Sequence, residues 1–412
     1  MKRTDQRGTV LVFALGTIVL LTTLGTSLLL RSLHDTQLGR WSSARQTAFF
    51  HTEAGIDRAI VELRQDSNWA GTGYTTVGSQ GGYAVTISPI NSRTKRVVST
   101  GYQPSNVSTA PHYQQSQVEA IVYFQNTSFA YALFSATTVT LDSNALVDSY
   151  NSANGAYSDS NVSADGDVGS NATGAGTVTL NSNAKIKGDV AVGPGGNVTT
   201  DIVLNGNASF TGSPQTLIQA EDLSLTSFPS GSASGSLSLG SNEDLTLPGG
   251  TYRYTSVDLN SNASVSVTGN VIIYVENSFK LESNTQFVTT CPTCTMTLYV
   301  DGNAGDPNTP AVQLRSNALL SAGAKPSQLK VIITGNSSST SRALHVESNS
   351  TIYGVIDAPR SHVDLDSNAK LFGAAVTRSI QLDSNAKVHY DVSLKSSGSS
   401  NQALQLRSWR EL

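Results

Sequence analysis

One five-residue phrase, Leu-x-Ser-Asn-Ala, limits what this chain can fold into. It stands in strict form at residues 141–145, 180–184, 259–263, 314–318, 365–369 and 382–386. Looser copies begin at Leu204, Leu239, Leu281 and Val346. The leading apolar residues are 39, 24, 35, 20, 22, 33, 32, 19 and 17 residues apart. Each short interval is one unit. Each long one is a unit with an insertion, or two units with one phrase lost. Self-similarity of this kind marks a solenoid.

The flanks say what each unit does. In residues 178–192 the apolar residues Val178, Leu180, Ile186, Val190 and Val192 alternate with polar ones, which is strand periodicity. The alternation breaks at Asn181-Ser182-Asn183 and at Lys187-Gly188-Asp189. Asn and Gly tolerate the left-handed backbone of a sharp corner. Short strands therefore meet at corners, and stacked coils place one Asn above the next, where side-chain amides can bond in a ladder. The turn and ladder positions are Asn144, Asn183, Asn262, Asn317, Asn349, Asn368 and Asn385. The expected class is α+β, with residues 131–394 a right-handed parallel β-helix. An antiparallel sandwich of short strands is the competing architecture, and the common register of the last copies disfavours it.

Charged residues are 14% of the chain, so Ser, Asn, Thr and Gly must cover much of the surface. Net charge is −4, and no basic excess points to nucleic acid. Residues 9–30 carry no charge, after three cations in residues 1–8 and before Arg31. At 1.5 Å per residue the run spans roughly 33 Å, one bilayer crossing. The preceding cations place the N-terminus in the cytoplasm. A cleaved secretory signal is the competing reading, but its apolar core is shorter and ends in a small-x-small site. Apolar residues then recur at helical steps through Leu38, Trp41, Ala48, Phe49, Ile56, Ala59, Ile60 and Leu63. This predicts an amphipathic helix over 31–66. Residues 83–87, 96–101 and 117–123 read as strands of a small antiparallel sheet within 67–130.

Three features together resemble a known family: Arg7-Gly8 before an apolar helix, the amphipathic continuation, and the phrase Ala48-Phe-Phe-His-Thr-Glu53-Ala54-Gly55. They resemble the PilX-type minor pilins, or pilus assembly proteins, of type IV pili. The resemblance covers residues 5–130. It implies that residues 1–8 are a leader, removed by prepilin peptidase between Gly8 and Thr9. It implies a single-pass inner-membrane protein whose partners are other pilins or minor pilins, later displayed outside the cell or facing the periplasm. Most pilins carry Glu at the fifth mature position, and Phe13 stands there. Without that carboxylate the subunit offers its ammonium to a neighbour but no counter-charge, which favours an initiating or tip role. A minor pseudopilin of type II secretion shares the same N-terminal logic. Residues 353–359 and 389–394 also resemble the closing coils of β-helices fused to such starts. Residues 395–412 read as a polar linker and tail, with Trp409 and Leu406 able to cap the open end of the solenoid or to dock a partner.

Candidate chemistry is sparse. Cys291-Pro-Thr-Cys294 can bind zinc, do redox work or close a disulfide. Outside the cytoplasm an oxidised loop is expected. Asp159, Asp165 and Asp167 match no strong calcium loop. Glycan cleavage would need paired carboxylates such as Asp364, Asp366 and Asp383. The equivalent position is Asn181, Asn260, Glu282 or Arg315 elsewhere, which reads as a variable solvent face. No catalytic residue, metal or cofactor is expected. A long Ser/Asn/Thr face can bind a glycan or other surface ligand, so a membrane-tethered adhesin or envelope scaffold is the second reading.

Overall fold

The computed structural model describes residues 6–66, 68–78, 81–90, 94–124, 129–223, 225–302, 310–335, 342–395 and 404–412. Five residues of the expected leader, the turn at Asn91-Ser92 and residues 396–401 of the expected linker lie outside them. The chain divides into two compact units. One holds Met1–Ser88, Lys95–Tyr123 and Leu404–Leu412, and the other Pro89–Thr94 and Phe124–Ala403.

In the first unit a single helix, α1, runs Gln6–Gln65. At 1.5 Å per residue it is about 90 Å long. Its buried stripe is Ala48, Thr52, Ile56, Ala59 and Leu63, at steps of three and four. Leu38 and Trp41, expected on that stripe, are exposed. The sheet order is β1 (Gly71–Thr76), β2 (Gly82–Pro89), β3 (Thr94–Gln103), β4 (Gln114–Phe124) and then the C-terminal strand Leu404–Glu411. β1 and β2 are antiparallel. Gly55, the end of the pilin-like phrase, is one close approach of helix and sheet. A Cβ there would lie 2.1 Å from Ser99 Oγ. Beside it, Thr52 Oγ1 accepts the Gly101 N–H at 2.9 Å and donates to Ser116 O at 3.0 Å.

Two elements of this sheet differ from expectation. Gly71–Thr76 lies outside the three strands expected from the sequence, yet it is a strand. Gly71 sits at φ +101°, and a Cβ there would stand 2.3 Å from Val85 O, so the glycine is what lets the strands approach. Residues 404–412 are not a free tail or a solenoid cap. They form the edge strand, with Leu412 N–H on Gln117 O at 2.9 Å. Trp409 meets Phe49 of α1 edge-on at 6.1 Å, and Arg410 pairs with Glu119 at 3.0 Å.

The second unit is almost wholly β, and among the described residues its pairings are parallel save one short pair, Leu146–Tyr150 with Val162–Ser163. Strands recur in threes. The strand before each Ser-Asn corner pairs with the equivalent strand one turn of chain away. The order of these rungs is 237–239, 257–259, 279–281, 312–314, 344–346, 363–365, 380–382, 139–141, 178–180 and 202–204. The first phrase of the chain therefore lies between the last and the second. Leu141 pairs with Leu382 on one side and Leu180 on the other. The interval 204–239 joins rungs that do not touch. The intervals of 39, 33 and 32 residues join adjacent rungs, so their extra residues are insertions.

Residues 217–223 and 225–236 carry the chain across that gap. Leu217 and Leu223 pack with Phe134 and Ala191. Further on, Phe228 meets the Tyr274 ring at 6.1 Å. Arg253 lies over both rings, at 5.1 and 4.7 Å, and donates to Pro229 O at 2.7 Å. The core is the inward residue of each strand. Leu141, Leu180, Leu259, Leu281, Leu314, Leu365 and Leu382 have no exposed surface, and the phrase alanines are buried beneath the corners.

Candidate functional site

The uncharged half of α1 is one candidate. Gly8 and Thr9 lie in its first turns. Phe13 is 78% exposed, and Val10, Leu15, Leu21 and Leu29 are exposed around it. Among the described residues one helix is thus long and apolar enough to cross a membrane. Its threonines do not spoil it for that role. Thr17 donates to Phe13 O at 2.7 Å, Thr22 to Ile18 O at 2.9 Å, Thr23 to Leu20 O at 2.9 Å and Thr26 to Thr22 O at 2.9 Å. Each hydroxyl is satisfied inside the helix, as a low-dielectric surrounding requires.

The corner asparagines share one geometry. Asn144, Asn183, Asn262, Asn317, Asn349, Asn368 and Asn385 have φ between 61° and 64°, and Asn242 and Asn284 have 65° and 60°. In the last rung Gly206, not Asn207, takes the left-handed position, at φ 63°. Backbone bonds link the corners. Asn262 N–H donates to Ser283 O, Asn284 to Ser316 O, and Asn385 to Ser143 O, at 2.9–3.0 Å. Side-chain amides add a run from Asn317 to Asn284 to Asn262 to Asn242, at 3.1, 3.2 and 3.1 Å. An Ala in a left-handed conformation costs about 1–2 kcal/mol. Asn317→Ala should therefore lower stability by about that much, and Asn317→Gly by less. Equal losses for the two, in paired denaturation curves, would show that the lost amide bond dominates and not the backbone.

The outward position after each Leu is a mixed polar row. Asn181 donates to Asp142, and Asn205 to Asn181, both at 2.8 Å. Arg315 lies between Glu282 and Glu347, at 3.5 and 3.6 Å. Asp366 and Asp383 are on adjacent rungs. Gln381 donates to Asp383 at 2.8 Å, and His345 Nε2 is 2.9 Å from Asp366. His345, Asp364 and Asp366 offer ligand atoms within 4.8 Å of one another, a grouping the sequence spacing does not reveal. Each of the three also has partners inside the fold. Cys291 and Cys294 form a disulfide, with Cα atoms 5.5 Å apart. Asp165 accepts from Ser163 at 3.1 Å, and Asp167 accepts the Asp189 N–H at 2.9 Å.

A buried polar cluster escapes sequence reasoning entirely. Asp148 has no exposed surface. Its Oδ1 is 2.6 Å from His389 Nδ1, and its Oδ2 accepts the Tyr157 hydroxyl at 2.9 Å. Lys187 Nζ is 3.7 Å away. Burial first, and then the bond to Asp148, raises the Tyr157 phenol above its ordinary range, so it remains a donor. Tyr157 belongs to the insertion after Leu146–Tyr150, and its ring lies against that of His389, with centroids 3.8 Å apart and planes tilted by 38°.

A family model described as a domain of unknown function (DUF7305) matches residues 226–397, which hold the seven rungs from 237–239 to 380–382. No curated protein matches. Among solved structures, the competence-associated pilin ComZ from Thermus thermophilus is similar over 90% of this chain and 97% of its own, at 13% identity and TM-score 0.33. A glycosylated ice-binding protein, LeIBP, from an Arctic yeast is similar over 65% of this chain and 93% of its own, at 13% identity and TM-score 0.26.

Proposed function

We propose that this chain is a non-enzymatic minor pilin-like subunit. It enters the inner membrane through residues 9–30 with its N-terminus in the cytoplasm, and prepilin peptidase cleaves it between Gly8 and Thr9. It joins other pilins in a type IV pilus, at the tip, and displays residues 131–394 there as a right-handed parallel β-helix. One observation carries the reading. A continuous helix has an uncharged, fully exposed first half and a second half that packs on a small sheet. The exposed half needs an apolar surrounding, and either a bilayer or a filament core of like helices supplies one. The Arg7-Gly8 leader and the Phe13 position, as the resemblance assigns them, select the pilin among tethered proteins.

N-terminal sequencing of the protein from cells with and without the peptidase tests this. The expected result is a start at Thr9 that requires the enzyme. An intact Met1 in both strains would sink the pilin reading and leave a membrane-tethered adhesin or scaffold. Phe13→Glu should shift the subunit away from the filament end and change pilus number. Unchanged pilus number and unchanged subunit location would remove the tip role.

A further inference from the structure

Beside the corners, one outward column runs Val288, Ser321, Tyr353, Phe372, His389, Asp148 on successive rungs. Three of these carry rings. Tyr353 is stacked on Phe372 with centroids 4.3 Å apart and planes 3° from parallel, and the His389 ring lies 4.8 Å from Phe372, tilted by 33°. Both distances are near the spacing of paired strands, about 4.8 Å, so the rings follow the rungs. The stack ends at Ser321, whose side chain is too small to continue it. A cavity of about 340 Å³ opens there, and Tyr353, Ser321, Val288 and Leu319 line it together with Tyr150 and Tyr157 of the neighbouring segment.

The cavity also has polar groups. Tyr150 contributes its ring to the wall, since its hydroxyl is inaccessible to solvent. Thr289 Oγ1 donates to Ala322 O at 2.7 Å and keeps its lone pairs. Ser321 Oγ is fixed by donating to Gly323 O at 2.8 Å.

We propose that this notch binds the terminal hexopyranose ring of a glycan, stacked on Tyr353 as the next ring of the column. A pyranose has one flat face of C–H groups and a rim of hydroxyls. The face covers the Tyr353 ring, and the rim meets the oxygens of Thr289 and Ser321. The site is built from the second unit alone and does not depend on the pilin reading.

The test is saturation-transfer NMR on the full chain in a sugar-free detergent. The probes are the methyl pyranosides of glucose, mannose, galactose and N-acetylglucosamine, with benzyl alcohol as an apolar control. At least one glycoside should receive saturation at its ring C–H protons. Tyr353→Ala should weaken that binding about tenfold or more, through loss of the ring face, while Tyr353→Phe changes it less than about twofold. Ser321→Phe puts a ring in the notch and should abolish binding, which keeps the test decisive if Tyr353→Ala fails to fold. The proposal is overturned if no glycoside receives saturation. It is also overturned if binding survives Ser321→Phe, or if benzyl alcohol alone binds.

Discussion

Asp148→Ala should destabilise the β unit by about 3–5 kcal/mol, the loss seen when one member of a buried charged pair is removed. The carboxylate is inaccessible to solvent and is the shared acceptor of His389 and Tyr157, with Lys187 nearby. Alanine leaves the buried His389 donor and the half-buried Tyr157 hydroxyl unpaired, and an unsatisfied buried donor costs more than a bond contributes. Asp148→Asn keeps the volume and one acceptor oxygen, so it should lose roughly half as much. The cluster also holds a joint in the stack. Leu146–Tyr150 pairs with Lys387–Asp391, and Asp148 and His389 are 241 residues apart. Hydrogen exchange in Asp148→Ala should therefore rise first at residues 146–150 and 387–391. A melting temperature lowered by less than about 2 °C would mean the cluster is not what holds this joint.

Phe287→Ala should cost a similar amount, about 3–5 kcal/mol, for a different reason. Phe287 and Phe279 have no exposed surface, and their rings are 5.4 Å apart in one rung. The inward neighbours of Phe287 are Val265 and Leu320, and those of Phe279 are Val257 and Val312. Two rings thus fill this layer, where aliphatic residues fill the layers beside it. Parallel rungs joined by backbone bonds cannot close over a missing ring, so the void persists and its lining loses contacts. The aromatic pair adds about 0.5–1.5 kcal/mol to the loss. Phe287→Leu should cost less than about 1.5 kcal/mol, as a conservative swap does. Equal melting curves for the alanine and leucine variants would show that the layer collapses instead of holding a cavity.

These two sites differ in how far the sequence discloses them. Phe287 sits at an alternating inward position after a Ser-Asn corner, so its burial follows from periodicity. Asp148 reads as one more polar residue near a corner. Nothing local distinguishes it from Asp142, which lies in the half-exposed outward row. Only the pairing with His389 makes it central. The cavity over Ser321 is equally hidden, because its walls come from rungs far apart in sequence. The C-terminal strand escaped notice because a short Leu-x-Leu alternation gains meaning only from a partner edge such as β4.

The amino-acid sequence alone determined the uncharged helix at 9–30, the left-handed corners at the asparagines and the inward leucines. These depend on side-chain polarity, on φ preference and on a two-residue period, all of which act within a few residues. The tertiary structure decided the order of the rungs, the return path through residues 217–223 and 225–236 and the insertion of the first phrase between the last and the second. The physical reason is degeneracy. Any Leu-x-Ser-Asn-Ala unit can pair in register with any other, so local pairing energy cannot choose the neighbour. Unique long-range contacts choose it, among them Asp148 with His389 and Arg253 with Phe228.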